Sequence, residues 1–269
     1  MRRLFLNVFV ALLLLGSSCW AGVLFDNTDD AFCKNNPTTS TMPSQHPLTI
    51  TAILKVGGGS IFEYGERDGS ASGFKIGVSG TGLLYTTFDI KDYVSNTISL
   101  TAAGWFFIAV SVDSADDATF YAYDYSTGVW TASSLVTHNA DMNAPSAASD
   151  LIIGALHSAV TGDTCTELGA FSLNTIEEVA VYNTNLSSDT LKNLATRRVA
   201  YSAINPLLSS LKGYWVLNAG ADGASADGFT LLDSLAVNNL TGIDGANNTG
   251  LTWAGQSAIS YPSSFLSGQ

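Results

Sequence analysis

The chain has 269 residues, with 11 Lys and Arg against 23 Asp and Glu and a net charge of −12. A surface this acidic excludes nucleic acid and anionic membrane as partners, because both would repel it. Lysine is scarce while Ser, Thr, Asn, Ala and Gly abound, which suits a β protein with many turns, kept soluble by net charge rather than by charge density.

Met1 to Ala21 reads as a targeting segment. Arg2 and Arg3 supply a positive start, Leu4 to Leu15 an apolar stretch, and Ser17 to Ala21 a small-residue end with the cut after Ala21. The apolar stretch is too short to span a bilayer, and no second one follows. The expectation is a secreted product that starts at Gly22 and does not insert into membrane after cleavage. A lipid anchor through Cys19 is the weaker alternative, since Gly16 stands where such signals carry an aliphatic residue. Loss of Arg2 and Arg3 leaves 9 basic against 23 acidic side chains, a charge of −14. It also leaves two cysteines, Cys33 and Cys165, which in an oxidising compartment have only each other within the chain, so one disulfide is expected. Two unpaired thiols are the alternative. The bridge would close a loop of about 130 residues and stabilise by on the order of 4 kcal/mol.

In chain order, Val23 to Asp26 reads as a strand, followed by a polar loop whose prolines at 37, 43 and 47 exclude a central strand. The early acids Asp26, Asp29 and Asp30 read as a solvated turn. Leu48, Ile50, Ala52 and Leu54 then share one strand face, and further strands are expected at Ile61 to Tyr64, Phe74 to Val78 and Leu83 to Ile90, separated by glycine turns. Trp105 to Val112 carries apolar residues on both faces: Phe106, Ile108, Val110 and Val112 on one, Trp105, Phe107 and Ala109 on the other. Such a strand belongs in mid-sheet, covered on both sides. Asp113 to Asp117 is its turn, Thr119 to Tyr125 its hairpin partner, and Leu151 to Ala155 a short later strand.

Ile176 to Tyr182 is β-branched and aromatic without Gly or Pro, and reads as a strand crossing a core. The period then changes. Leu186, Leu191 and Leu194 recur at helical spacing, Ser187 or Ser188 can cap, and Asp189 favours the helix dipole. Short strands every ten residues or so, with one helix, predict an all-β protein built as an antiparallel sandwich or barrel.

Four of these segments, in this order, resemble laminin-G-like, concanavalin A-like jelly rolls. Pro47 to Lys55 is similar to the entry strand, Gly104 to Asp113 to the central Trp-containing strand, and Leu151 to Gly154 to the strand before the closing one. The closing strand and helix start are matched by Ile176, Glu177, Glu178, Val179, Val181, Tyr182, Asn183, Leu186 and Ser187. Tyr121 or Tyr123, with Gly128, fill the places of a Tyr-containing strand and its turn glycine. The resemblance covers Leu48 to Leu194 and implies a two-sheet antiparallel jelly-roll sandwich.

Residues 199 to 269 depart from that order. GYWVLN (213 to 218), Asp233, Gly242 and LTWAG (251 to 255) resemble the strand and loop that the family places first. Either they complete the same sandwich in permuted order, making 22–269 a single domain, or they are a truncated second repeat that pairs with a neighbouring molecule and drives self-association. About 70 residues are few for an independent sandwich of roughly 100, which favours the first.

No catalytic constellation stands out, and no enzyme is expected. The family's glucanases use Glu-x-Asp-x-x-Glu, which is absent, and Glu177 and Glu178 are adjacent, so regular alternation would send them to opposite faces. His46, His138 and His157 are far apart and read as surface histidines. The candidate ligand platform is aromatic: Tyr121, Tyr123 and Tyr125 share a strand face, with Trp130 after the turn, and rings of this kind stack on sugars. A cross-strand aromatic ladder is the competing reading. The resemblance also implies calcium held by loop carboxylates, for which Asp113, Asp116 and Asp117 are the candidates, with Asp141 and Asp150 flanking another loop. The expected partner is an extracellular carbohydrate or glycoprotein. The alternative is a self-assembling protein of a surface layer, filament or particle.

Overall fold

A computed structural model describes residues 20–26, 28–35, 42–66, 72–80, 82–87, 91–94, 98–137, 142–145, 149–157, 165, 168–169, 171–196, 209–217, 224–233, 235, 237–244 and 251–257. Most of the expected leader, His138, Asp141 and the 199–208 segment lie outside this set.

The strands in chain order are β1 (Trp20–Leu24), β2 (Asp30–Lys34), β3 (Leu48–Lys55), β4 (Gly59–Glu66), β5 (Ser72–Ser79), β6 (Gly82–Thr87) and β7 (Lys91–Val94). They continue as β8 (Trp105–Val112), β9 (Ala118–Asp124), β10 (Val129–Ala132), β11 (Asp150–Ile153), β12 (Leu156–His157), β13 (Leu168–Gly169) and β14 (Thr175–Tyr182). After the helix α1 (Ser188–Ala195) come β15 (Leu211–Val216), β16 (Thr230–Leu231), β17 (Leu240–Asp244) and β18 (Thr252–Ser257).

Two antiparallel sheets face each other. The first runs β10-β9-β8-β3-β14-β1-β18, with β15 also on β14; the second runs β16-β17-β2-β11-β4-β5-β6-β7. One edge of β14 is therefore shared: Ile176 and Thr175 pair with β1, while Glu178 to Tyr182 pair with β15. The GYWV strand thus lies directly beside the closing strand, and β17 pairs with β2 in the other sheet. Strand β1 begins at Trp20, two residues inside the segment read as a leader, and its pairs from Gly22 onward lie beyond that segment.

Alternation explains the packing. Leu48, Ile50, Ala52 and Leu54 of β3, with Phe106, Ile108, Val110 and Val112 of β8, enter the core between the sheets, where Phe62, Phe74, Phe120 and Trp215 join them. Phe107 and Ala109 turn to the outer face of the first sheet. There α1 covers them with Leu191 and Leu194. Its N-cap is Ser187, whose Oγ accepts from the Thr190 amide at 3.3 Å. A third, smaller apolar layer lies outside the second sheet around Ala31, Ile152 and the Cys33–Cys165 disulfide.

Two departures from simple patterning stand out. Strand β2 falls in what the sequence reads as a loop, because only Ala31 and Phe32 are apolar; Phe32 enters the main core while Cys33 faces the disulfide layer. A bulge between Ile176 and Glu178 breaks the register of β14. Ile176 and Val179, three apart, consequently both reach the main core. The rule that neighbours point to opposite faces therefore does not hold at Glu177 and Glu178.

Candidate functional site: an edge groove beside β10

The hairpin of β9 and β10 divides its side chains by face. Tyr121, Tyr123 and Trp130 lie on the outer side with Tyr125, against α1. Tyr121 and Trp130 stack with centroids 5.6 Å apart, and Tyr123 meets Tyr125 edge-on at 5.2 Å. The Tyr125 hydroxyl donates to the Ala195 carbonyl at 3.0 Å, and Trp130 Nε1 donates to Ser188 Oγ at 3.3 Å. The three tyrosines are no more than 8% exposed. The helix thus lies over the three tyrosines, which are buried rather than exposed, while Trp130 stays partly exposed; burial raises the Tyr121 pKa, opposed by a bond from Thr119.

The other face of the same hairpin is open. Register pairs Val129 with Asp124 and Thr131 with Ala122, so these side chains line the inner surface of the first sheet at its free edge. Phe106 of β8 sits beside Asp124, and Ile98 and Ser99 form the facing wall. The groove between them has a volume of about 200 Å³. Asp124 Oδ1 accepts from Ser126 N at 2.7 Å and Ser126 Oγ at 2.6 Å. Burial alone would raise its pKa, but the bonds from Ser126 and Thr127 outweigh that and hold it below the usual 3.8. Oδ1 also accepts from Thr127 N at 3.4 Å, and the Thr127 side chain adds to the lowering. The site therefore presents a fixed carboxylate, the Thr127 and Thr131 hydroxyls, and an apolar wall of Val129 and Phe106. Sequence reasoning passed over Asp124, yet one signal was present: it continues the inward alternation of Ala118, Phe120 and Ala122 with a charge.

Of the carboxylates expected to hold calcium, Asp113 and Asp116 have protein partners. Asp113 Oδ1 accepts from Ala115 N at 2.8 Å and Asp117 N at 3.1 Å, closing its own turn. Asp116 is taken by His46 Nδ1. Three other acids, Asp26, Asp29 and Asp30, do bring one oxygen each within 4.8 Å of the others. Two of those carboxylates already accept backbone amides, Asp26 from Thr28 and Asp30 from Asp26. Asp150 lies buried beside the disulfide. His46, read as a surface residue, has a side chain only 2% exposed, bonded to Asp116 and to the Tyr85 hydroxyl. Glu178 accepts from the Tyr214 hydroxyl at 2.8 Å.

No protein-family model matches the sequence, and no curated protein is similar to it. Solved structures do share its shape. A Bacteroides ovatus protein to which carbohydrate binding is ascribed superposes over 89% of this chain at 14% identity and a TM-score of 0.58. The match spans 61% of that protein, so this chain corresponds to about three fifths of it. The heptameric SAP-like pentraxin of Limulus polyphemus matches over 90% of this chain and 97% of its own, at 10% identity and a TM-score of 0.52. A weaker likeness, at a TM-score of 0.39 and 10% identity, extends to the LG1-3 region of the laminin α2 chain, over 62% of this chain and 32% of that one. The two fuller matches share the fold of this chain, a two-sheet antiparallel jelly-roll sandwich.

Proposed function

We propose that this protein is a secreted, non-catalytic module that binds a carbohydrate of an extracellular glycan or glycoprotein in the groove beside β10. Asp124 carries the reading. Its tethered, ionised carboxylate borders the groove, and adjacent sugar hydroxyls donate well to such an acceptor. Val129 and Phe106 supply an apolar wall for the C–H face of a ring, while Thr127 and Thr131 add hydroxyls for orientation. This mix of apolar surface and few fixed polar groups is the general pattern of small-ligand sites. The likeness to the Bacteroides ovatus protein supports the same reading, through fold alone. The disulfide suits an oxidising, extracellular setting.

A glycan array is the test. Wild type should retain one or more neutral oligosaccharides, and Asp124→Asn should weaken them by about tenfold, the cost of roughly one charge-assisted hydrogen bond. Binding should persist through the ordinary carboxylate range and fade only as the pH drops through the lowered Asp124 pKa, because the depressed carboxylate is ionised above it. The bound glycan should be recovered intact. An array blank for wild type, or release of cleaved product, would end the proposal.

A further inference from the structure

The end of the sandwich holds a second cleft, built from different elements and chemically unlike the groove beside β10. It has a volume of about 260 Å³ and lies between the 42–47 segment, the residue after β14 and the start of β15. Lys212, Asn183, Ser44 and Gln45 give it a polar lining, with Pro43 and Pro47 as apolar wall. Lysine and arginine are few in this chain, and Lys212 is the basic residue that lines either cleft. Its Nζ makes one long bond, to the Ser209 carbonyl at 3.4 Å, and no carboxylate lies within salt-bridge distance among the described residues. The side chains of Ser44, Gln45 and Asn183 have no hydrogen-bond partner among the described residues either.

The cleft is held in shape without a ligand. His46 anchors the 42–47 segment twice, to Tyr85 of β6 through Nε2 at 2.7 Å and to Asp116 of the β8–β9 turn through Nδ1. The Asn183 amide donates to the Ser210 carbonyl at 2.9 Å, which ties the far wall together. A binding site whose walls are already fixed does not lose ordering entropy when it is filled.

We propose that this cleft binds a small polar ligand through a single carboxylate, with Lys212 as its counter-charge and Asn183, Gln45 and Ser44 as neutral donors. One uncompensated cation matches a monoanion. A doubly charged phosphate would leave one charge facing a molecule whose net charge is −12. The volume lies below the roughly 300 to 1,000 Å³ of drug-sized sites, which limits the ligand to about one ring or one residue. A hexuronic acid residue and the free α-carboxylate of a peptide both present this chemistry.

Matched pairs of probes separate these sources. Galacturonate is compared with galactose, and N-acetylglycine with N-acetylglycinamide, by NMR titration of the full protein at low and high salt. At least one acid should bind while its neutral mate does not, and its affinity should fall as salt rises. Lys212→Gln should weaken that acid by about tenfold or more, while Lys212→Arg retains it and the remote Lys55→Gln leaves it unchanged. Asp124→Asn should also leave it unchanged, which separates this cleft from the glycan groove. The proposal fails if acid and neutral mates bind alike, if neither acid binds, or if Lys212→Gln, folded by its melting curve, binds as wild type does.

Discussion

Tyr64 illustrates what single side chains contribute here. It is 1% exposed on β4, edge-on to Phe74 with centroids 5.8 Å apart, and burial pushes its phenol from 10.0 to about 12. The folded chain thus holds this proton more tightly than the unfolded one. Its contribution is whole below pH 10 and is lost as the pH rises through about 12, a span worth about 3 kcal/mol at two pKa units. Urea melts across that range should show wild type losing stability faster than Tyr64→Phe; parallel curves would show that the phenol does not drive the loss. At this scale the sequence was only partly legible. It assigned Phe106 and Phe107 to opposite faces because alternation survives along β8. It could not show that Asp124 borders a groove or that His46 is enclosed, since both depend on segments remote in sequence.

Among the elements, α1 decides the fate of the aromatic row. Its signals were local, a capping Ser187 and leucines at helical spacing, and it forms where they place it. What its apolar side would cover was not local. Leu191 and Leu194 descend on a face contributed by β8 and β9, some 70 residues earlier in the case of the Tyr125–Ala195 bond. Periodicity tells which residues share a face and is silent on what lies above that face. Leu191 is fully buried, so Leu191→Ala should cost about 2 to 5 kcal/mol. Loosening the helix should also shift Trp130 emission to the red as its Ser188 contact is lost. A variant with wild-type stability and emission would show the helix to be a passive cover. The bulge in β14 and the short β2 were illegible for a related reason: a bulge adds one residue without a fixed signature, and two apolar residues do not define a strand.

For the whole molecule, the two-sheet plan was readable because several independent segments agreed in order, and agreement between levels is what specifies a fold. The disulfide ties together residues 132 apart, joining β2 of the second sheet to the segment that leads toward β14. Removing it with Cys33→Ala and Cys165→Ala together should cost about 4 to 5 kcal/mol through the larger unfolded ensemble. Equilibrium denaturation of oxidised wild type against the double variant measures it, and a difference under about 1 kcal/mol would show the layer around Ala31 and Ile152 to be sufficient alone.

The pairing of β1 with β18, Val23 opposite Trp253, has a consequence for how the molecule can be displayed. The start of β1 and the end of β18, Trp20 opposite Ser257, lie on the same flank, beside β14 and far across the sheet from β10. A short tether joined directly at either of these strand ends would start on that flank, at the side of the sheet opposite the groove beside β10.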